Sequence, residues 1–335
     1  MTAQATYVTV REGRVTVAHN DVGAYEILEI SVLGPEVLTR FLDAWQQLDP
    51  WDEWTDDDCA EGGLLVDFDQ RVLMMFSIHR GPALRAAYLD AVTRTWPGWH
   101  VRWAYDGIAD LIDHVGGDVS QIRREPSEPE ALYWCDRTDR MQLRYVVTIG
   151  DTQAYGLAWN AFDPWWVGAG LVEQLRPADR ITTAAIVPEA GMHLNPVTRE
   201  AGVWSAVRPL RGLAEHWPRL WPDWTLQLWD DRSSEQLRRC AGSVTFPAAE
   251  PLGPGRLAER VMKTWSFFVA EDIDHNCHEA YGSDERVEQA RENGWFQARE
   301  QTGITRRELC TALEAITGRQ WPVPRWPDFE EPPQS

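Results

Sequence analysis

The densest grouping of side chains able to do chemistry is Glu271-Asp-Ile-Asp-His-Asn-Cys-His-Glu279. On a helix, His275 and His278 share a face, and Glu279 or Glu271 would complete a nitrogen and oxygen ligand set for a divalent metal. The same residues also suit a polar helix end with partly buried histidines, because no third ligand follows at a diagnostic spacing. Cys277 adjoins His278, yet neighbours one position apart on a helix diverge, which does not suit a cysteine-histidine nucleophile. Asp67 and Asp69 flank a hairpin turn, where Asp is favoured for backbone reasons alone, whereas a glycosidase needs two carboxylates opposed across a groove. No phosphate loop, dinucleotide fingerprint, nucleophile elbow or zinc-protease motif is present. The expectation is a chain that needs no cofactor and binds rather than catalyses.

A second grouping suits recognition. Asp49-Pro-Trp-Asp-Glu-Trp-Thr-Asp-Asp-Asp-Cys-Ala-Glu61 packs seven carboxylates and two tryptophans into thirteen residues. Pro50, the clustered Asp and the lack of apolar periodicity predict a loop. Trp51, Asp52, Glu53, Trp54, Asp56, Asp57 and Asp58 form the candidate partner-binding set, two aromatic anchors ringed by carboxylates and aimed at a basic protein. Asp56 to Asp58 lack the alternating spacing and turn glycine of a calcium loop.

The charge of the whole chain agrees. Its 335 residues hold 32 basic and 52 acidic side chains, net −20. Residues 1–120 carry −12 of this, 121–254 carry −3 and 255–335 carry −5. With no basic stripe, the chain repels phosphate backbones, so no nucleic acid is expected. It has 19 tryptophans, and because most fall on inferred buried faces they serve packing more than sugar stacking. Neither a signal-like N-terminus nor an uncharged apolar run of about 18 residues occurs, which predicts a soluble, cytoplasmic protein with no membrane partner. The five cysteines, odd in number and widely spaced, read as reduced thiols.

The elements that must position these residues come in two copies. Gly62–Ser77, a helical stretch and Trp96–Asp106 are echoed by Ala190–Ser205, a helical stretch and Trp221–Asp231, with Ser77 and Ser205 128 positions apart and Trp99 and Trp224 125 apart. Upstream, Ala24-Tyr25 aligns with Ala154-Tyr155, each at the start of a strand. Each copy reads as strand hairpins, a helix and a strand: 7–10 with 14–18, 25–32, 65–68 with 72–77, a helix opening at Gly81-Pro82, and 99–105. Trp-Pro-x-Trp is a helix exit that turns straight into a strand, since Pro cannot continue the helix. Pro218 lies inside the second helix, 210–221, and should shorten or bend it. Beyond 255 the chain is helical, ending on 305–318 with a Thr305/Glu308 capping box and a Gly318 stop.

The expected fold is α+β, two repeated small units with antiparallel sheets and covering helices. The boundaries are 1–120, 132–245, a helical region 255–320 and a proline-rich tail 321–335. An acidic, tryptophan-rich, duplicated α+β chain without a catalytic signature resembles the immunity proteins that neutralise polymorphic toxins in bacteria. That resemblance implies stoichiometric blocking of a basic toxin through an acidic face. The alternatives are a metal-assisted enzyme at His275/His278 and a scaffold or assembly protein.

Overall fold

The computed structural model describes residues 3–21, 23–48, 53–124, 143–158, 163–175, 180–248, 252–270, 273–292 and 294–321. Strands β1 (Ala5–Arg11) and β2 (Arg14–Asn20) form an antiparallel hairpin around Glu12-Gly13. Both turn residues have positive φ, 52° and 73°, the primed geometry whose twist matches paired strands. Asp69 clamps this turn by accepting from the Glu12 and Gly13 amides at 2.8 and 2.7 Å. A 3-10 turn (Gly23–Tyr25), α1 (Ile27–Ser31) and α2 (Pro35–Leu48) follow. Next come β3 (Gly62–Asp67), β4 (Val72–Ser77), α3 (Pro82–Thr95), β5 (His100–Trp103) and α4 (Ile108–His114).

The second copy runs β6 (Leu143–Ile149), β7 (Gln153–Ala158), a 3-10 segment (Pro164–Gly170) leading into α5 (Leu171–Gln174), β8 (Ala190–Asn195) and β9 (Glu200–Ser205). It closes with α6 (Leu213–Leu220), β10 (Thr225–Leu228) and α7 (Ser233–Arg239). The sheets have one topology, β2-β1-β3-β4-β5 and β7-β6-β8-β9-β10. Their hairpins are antiparallel as expected, but β1 pairs β3 and β6 pairs β8 in parallel, so both sheets are mixed. The parallel joint arises because α1 and α2, and in the second copy the helical segment at 164–174, intervene as crossovers.

The repeat is exact in register at its centre, where Gly62↔Ser77 to Asp67↔Val72 is matched by Ala190↔Ser205 to Asn195↔Glu200. Each turn is closed by the side chain at its base. Asp67 Oδ1 accepts from the Asp69 and Gln70 amides, and Asn195 Oδ1 accepts from the Val197 and Thr198 amides. The Trp-Pro-x-Trp exits also coincide. Trp96 Nε1 donates to the Ser31 carbonyl at 2.6 Å and Trp221 Nε1 to that of Trp165 at 2.7 Å. In both, the x position, Gly98 or Asp223, has positive φ, which reverses the chain in one residue. The tryptophans are packing anchors, Trp96 and Trp221 being 1% and 0% exposed.

Two local expectations are corrected. Residues 25–32 are not a strand but the end of the 3-10 turn plus α1. From Ile27 to Val32 the segment is enclosed on every side, with Glu29 and Ser31 buried alongside Leu28, Ile30 and Val32, and a fully buried stretch shows no diagnostic period. The flank alignment therefore also fails: Ala154-Tyr155 belongs to β7, whose counterpart is β2. Pro218 acts as expected, α6 having 8 residues against 14 for α3.

By internal packing the chain forms two compact units, 1–27 with 53–86 and 102–251, and 28–52 with 87–101 and 252–335. The first holds β1–β4 and β6–β10. Around its second sheet, Tyr145, Trp165, Met192, Val203, Trp217 and Trp221 make one apolar core. The second unit holds α2 and the C-terminal helices α8 (Pro254–Trp265), α9 (Ile273–Tyr281), α10 (Asp284–Arg291), α11 (Gly294–Thr302) and α12 (Arg306–Thr317). Arg40 of α2 donates to the Thr302 carbonyl at 2.8 Å and pairs with Glu308 at 2.9 Å. The capping box forms, Thr305 Oγ1 accepting from the Glu308 amide at 3.2 Å and Glu308 from the Thr305 amide at 2.9 Å, and Gly318 ends the helix at φ 65°. No helix among the described residues is long and apolar enough to cross a membrane.

Candidate functional site

The acidic loop leads from α2 into β3, and its described part faces two ways. Glu53 and Asp58 are exposed and Trp54 and Asp56 are half-buried, while Trp51 and Asp52 lie outside the described residues. Asp57 turns inward. Its carboxylate, 5% exposed, meets Arg123 at 2.7 Å, and its amide donates to the Ile122 carbonyl at 3.1 Å. Burial pushes the Asp57 carboxyl above the ordinary range despite the attraction of Arg123. Asp56 pairs with Arg124 at 2.6 Å. One carboxylate thus anchors the loop, while Glu53, Asp56 and Asp58 remain at or near the surface.

Arg123 connects this loop to a cleft. Beyond Asp57 it contacts Asp106, and Glu215 at 3.3 Å. Asp106 in turn accepts from the Gly212 amide at 2.6 Å, and its own amide donates to Asp110 at 2.8 Å. Burial alone would lower the Arg123 pKa, but Asp106 and Asp57 hold it above its usual value. The fit against Gly212 is close, since a Cβ there would stand 2.8 Å from the guanidinium carbon.

The cleft has a volume of about 420 Å³ and lies within the first compact unit. Its carboxylates are Asp106, Asp110, Asp113, Glu215 and Asp230, against one guanidinium, Arg102. Met74, Trp103, Leu210, Leu213 and Leu228 supply apolar surface. The strand and helix ends that line it come from both copies: β5 runs into α4 on one side, and α6 and the end of β10 lie on the other. Burial raises the Asp110 carboxyl above the ordinary range, partly opposed by the Asp106 amide.

His114, at the C-terminal end of α4, completes the wall. Its Nε2 lies 2.9 Å from Asp67 Oδ2, the two side chains being 9% and 2% exposed. Asp67 Oδ1 is already committed to two turn amides, so one carboxylate closes the β3–β4 turn and orients the histidine. Neither Asp67 nor Asp69 is a free acid. In the second copy Asn195 closes the turn alone.

The histidine cluster is placed differently. His278 is exposed on α9 and pairs with Asp284, Cys277 is fully buried, and the side chains of His275 and Glu279, with Glu271, lie outside the described residues. Among the described residues no three His, Cys, Asp or Glu side chains converge to hold a metal ion. Sequence reasoning placed the acidic loop but missed the cleft residues Asp106, Asp110, Asp113, His114, Glu215 and Asp230. One signal was available, the Asp67/Asn195 difference between otherwise matched turns. Comparison with family models, with curated proteins and with solved structures returns no match to this chain.

Proposed function

We propose that this chain is a non-enzymatic binding protein that engages a basic protein partner through the acidic loop and the cleft beside it, in the manner of a toxin-neutralising immunity protein. The observation that carries this reading is the Arg123 junction. It ties Asp57 of the loop to Asp106 and Glu215 of the cleft, and Glu53 and Asp58, on either side of that anchor in sequence, are exposed, which we read as one acidic region. Such a region steers a cationic partner by its field.

The test uses the protein encoded beside this chain's gene, the expected partner of an immunity-type protein. Its association rate is measured at about 50 and about 500 mM salt, where exposed charges are respectively weakly and strongly screened. The rate should fall steeply with salt, and E53Q/D58N should lower it several-fold at the lower salt with little effect on stability. Absence of binding, or a rate unmoved by salt and by both substitutions, overturns the proposal.

A further inference from the structure

The two copies differ at one edge of their sheets. β2 and β7 are the matched outer strands: Val17 lies opposite Val8 and Ala154 opposite Thr148, and Val8 and Thr148 pair in turn with Leu65 and His193, which the repeat relates by 128 positions. In the second copy this edge is covered. The Ile181 amide donates to the Ala154 carbonyl at 2.9 Å, Arg180 bridges Tyr155 in the antiparallel sense, and its guanidinium carbon lies 5.9 Å from the centre of the Tyr155 ring. The covering residues come from the connection between α5 and β8.

In the first copy the equivalent connection, from α2 to β3, is the acidic loop, and it goes elsewhere. Thr55 touches the face of the hairpin, its Oγ1 lying 2.8 Å from Thr6 Oγ1 and 3.2 Å from His19 Nδ1. Asp57 then turns away to Arg123 and the Ile122 carbonyl. Among the described residues no further strand or bridge pairs with β2, which stays the end of its sheet. The two-residue turn makes Arg11 and Arg14 a hydrogen-bonded pair, so Thr16 and Ala18 direct their amides to β1 while Val15 and Val17 direct theirs outward. Edge strands are ordinarily blunted by charge, proline or a covering segment. The stretch Val15-Thr-Val17 has none of these, and Val15 is 40% exposed.

The ends of β2 are opposite in charge. Arg14 is exposed at its start, and Asp21, 72% exposed, follows its end, where His19 contacts both Asp21 and Thr55 of the acidic loop. A strand running antiparallel to β2 begins at the Asp21 end and finishes at the Arg14 end. A second copy of the chain, at net −20, is repelled from this edge, whereas a basic segment is attracted. We propose that the outer edge of β2 takes up an extended segment of the basic partner as an added antiparallel strand, basic at its N-terminal end and rich in β-branched residues after it. This inference rests on the binding reading above and names the form in which the partner is held. Backbone pairing supplies the affinity, and the charged ends fix the direction.

The isotopically labelled full-length chain is titrated with the blocked peptide Lys-Lys-Val-Thr-Val-Thr-Val and with its reversed-charge relative Val-Thr-Val-Thr-Val-Lys-Lys. In the free chain the Val15 and Val17 amides should exchange with solvent far faster than those of Thr16 and Ala18. The first peptide should bind with a millimolar dissociation constant, shift the Val15 and Val17 amide resonances and slow their exchange. The second should bind several-fold more weakly. V17P removes an outward amide and should abolish binding with an unchanged far-UV spectrum. V15K places a lysine on the edge and should weaken binding about fivefold or more, which keeps the test intact if V17P does not fold. Slow exchange of Val15 and Val17 in the free chain, equal binding of the two peptides, or indifference to V15K overturns the proposal. If neither peptide binds while partner association still depends on salt and on E53Q/D58N, the edge assignment falls and the binding function stands. If the first peptide binds as described and no basic partner associates, the edge assignment stands and the function reading falls.

Discussion

Acidification should loosen the second sheet through one residue. His193 on β8 is 4% exposed, and its Nδ1 lies 2.9 Å from Thr148 Oγ1 on β6. Beside it the fully buried Gln236 donates to the Met192 carbonyl at 2.8 Å and to that of Val146 at 2.9 Å, and accepts from Trp204 Nε1 at 2.6 Å. Burial, with a smaller contribution from Arg239, lowers the His193 pKa from 6.5 to about 4. The folded protein therefore keeps the ring neutral where the unfolded chain has already taken up a proton. This contribution is complete above pH 6.5 and is lost as the pH falls towards 4. The full difference is worth about 3 kcal/mol, of which about 2 kcal/mol is lost between pH 7 and pH 5. The perturbation is H193N, which keeps a short polar group near Thr148 and cannot titrate. Urea unfolding of both proteins at a series of pH values should show the wild type losing about 2 kcal/mol more than the variant between pH 7 and pH 5. Ring titration by NMR should place the His193 midpoint near 4. Parallel stability profiles for the two proteins, or a midpoint near 6.5, would refute the reasoning.

Three further outcomes follow from the geometry. W96F and W221F each remove a buried indole donor and ring volume at matched positions, so each should cost about 2 to 4 kcal/mol in chemical denaturation. R123M leaves Asp57 buried without its partner and should cost about 3 to 5 kcal/mol, whereas E53Q/D58N on the same loop should stay within about 0.5 kcal/mol of wild type. T305A removes one half of the α12 capping box and should lower the stability of the C-terminal helices by about 1 kcal/mol, read as faster amide exchange in the first turn of α12.

The features legible from sequence were those whose signal is local. The Trp-Pro-x-Trp exits, the Asp67 turn and the Thr305 cap are each set within a few residues, and each forms where the residue types predicted. The α1 segment was misread because burial on all sides erases the alternation that distinguishes strand from helix. The cleft was not legible because its parts lie far apart in the chain: Asp113 and Asp230 line the same cleft from the two copies, one on α4 after β5 and the other after β10. Asp57 could not be told from Asp56 or Asp58 in an acidic run, since which one turns inward is decided by Arg123, more than sixty residues later.

At the base of the matched turns the chain carries a carboxylate in one copy and an amide in the other. Both oxygens close a turn equally well, but only the carboxylate has a second oxygen to spare for a histidine. Scaffold and site are therefore chemically separable at a single position. D67N would copy the second unit's solution into the first, keeping the hairpin and releasing His114. The protein thus contains its own reference state: whatever D67N changes beyond a modest loss of stability belongs to the histidine's task and not to the fold.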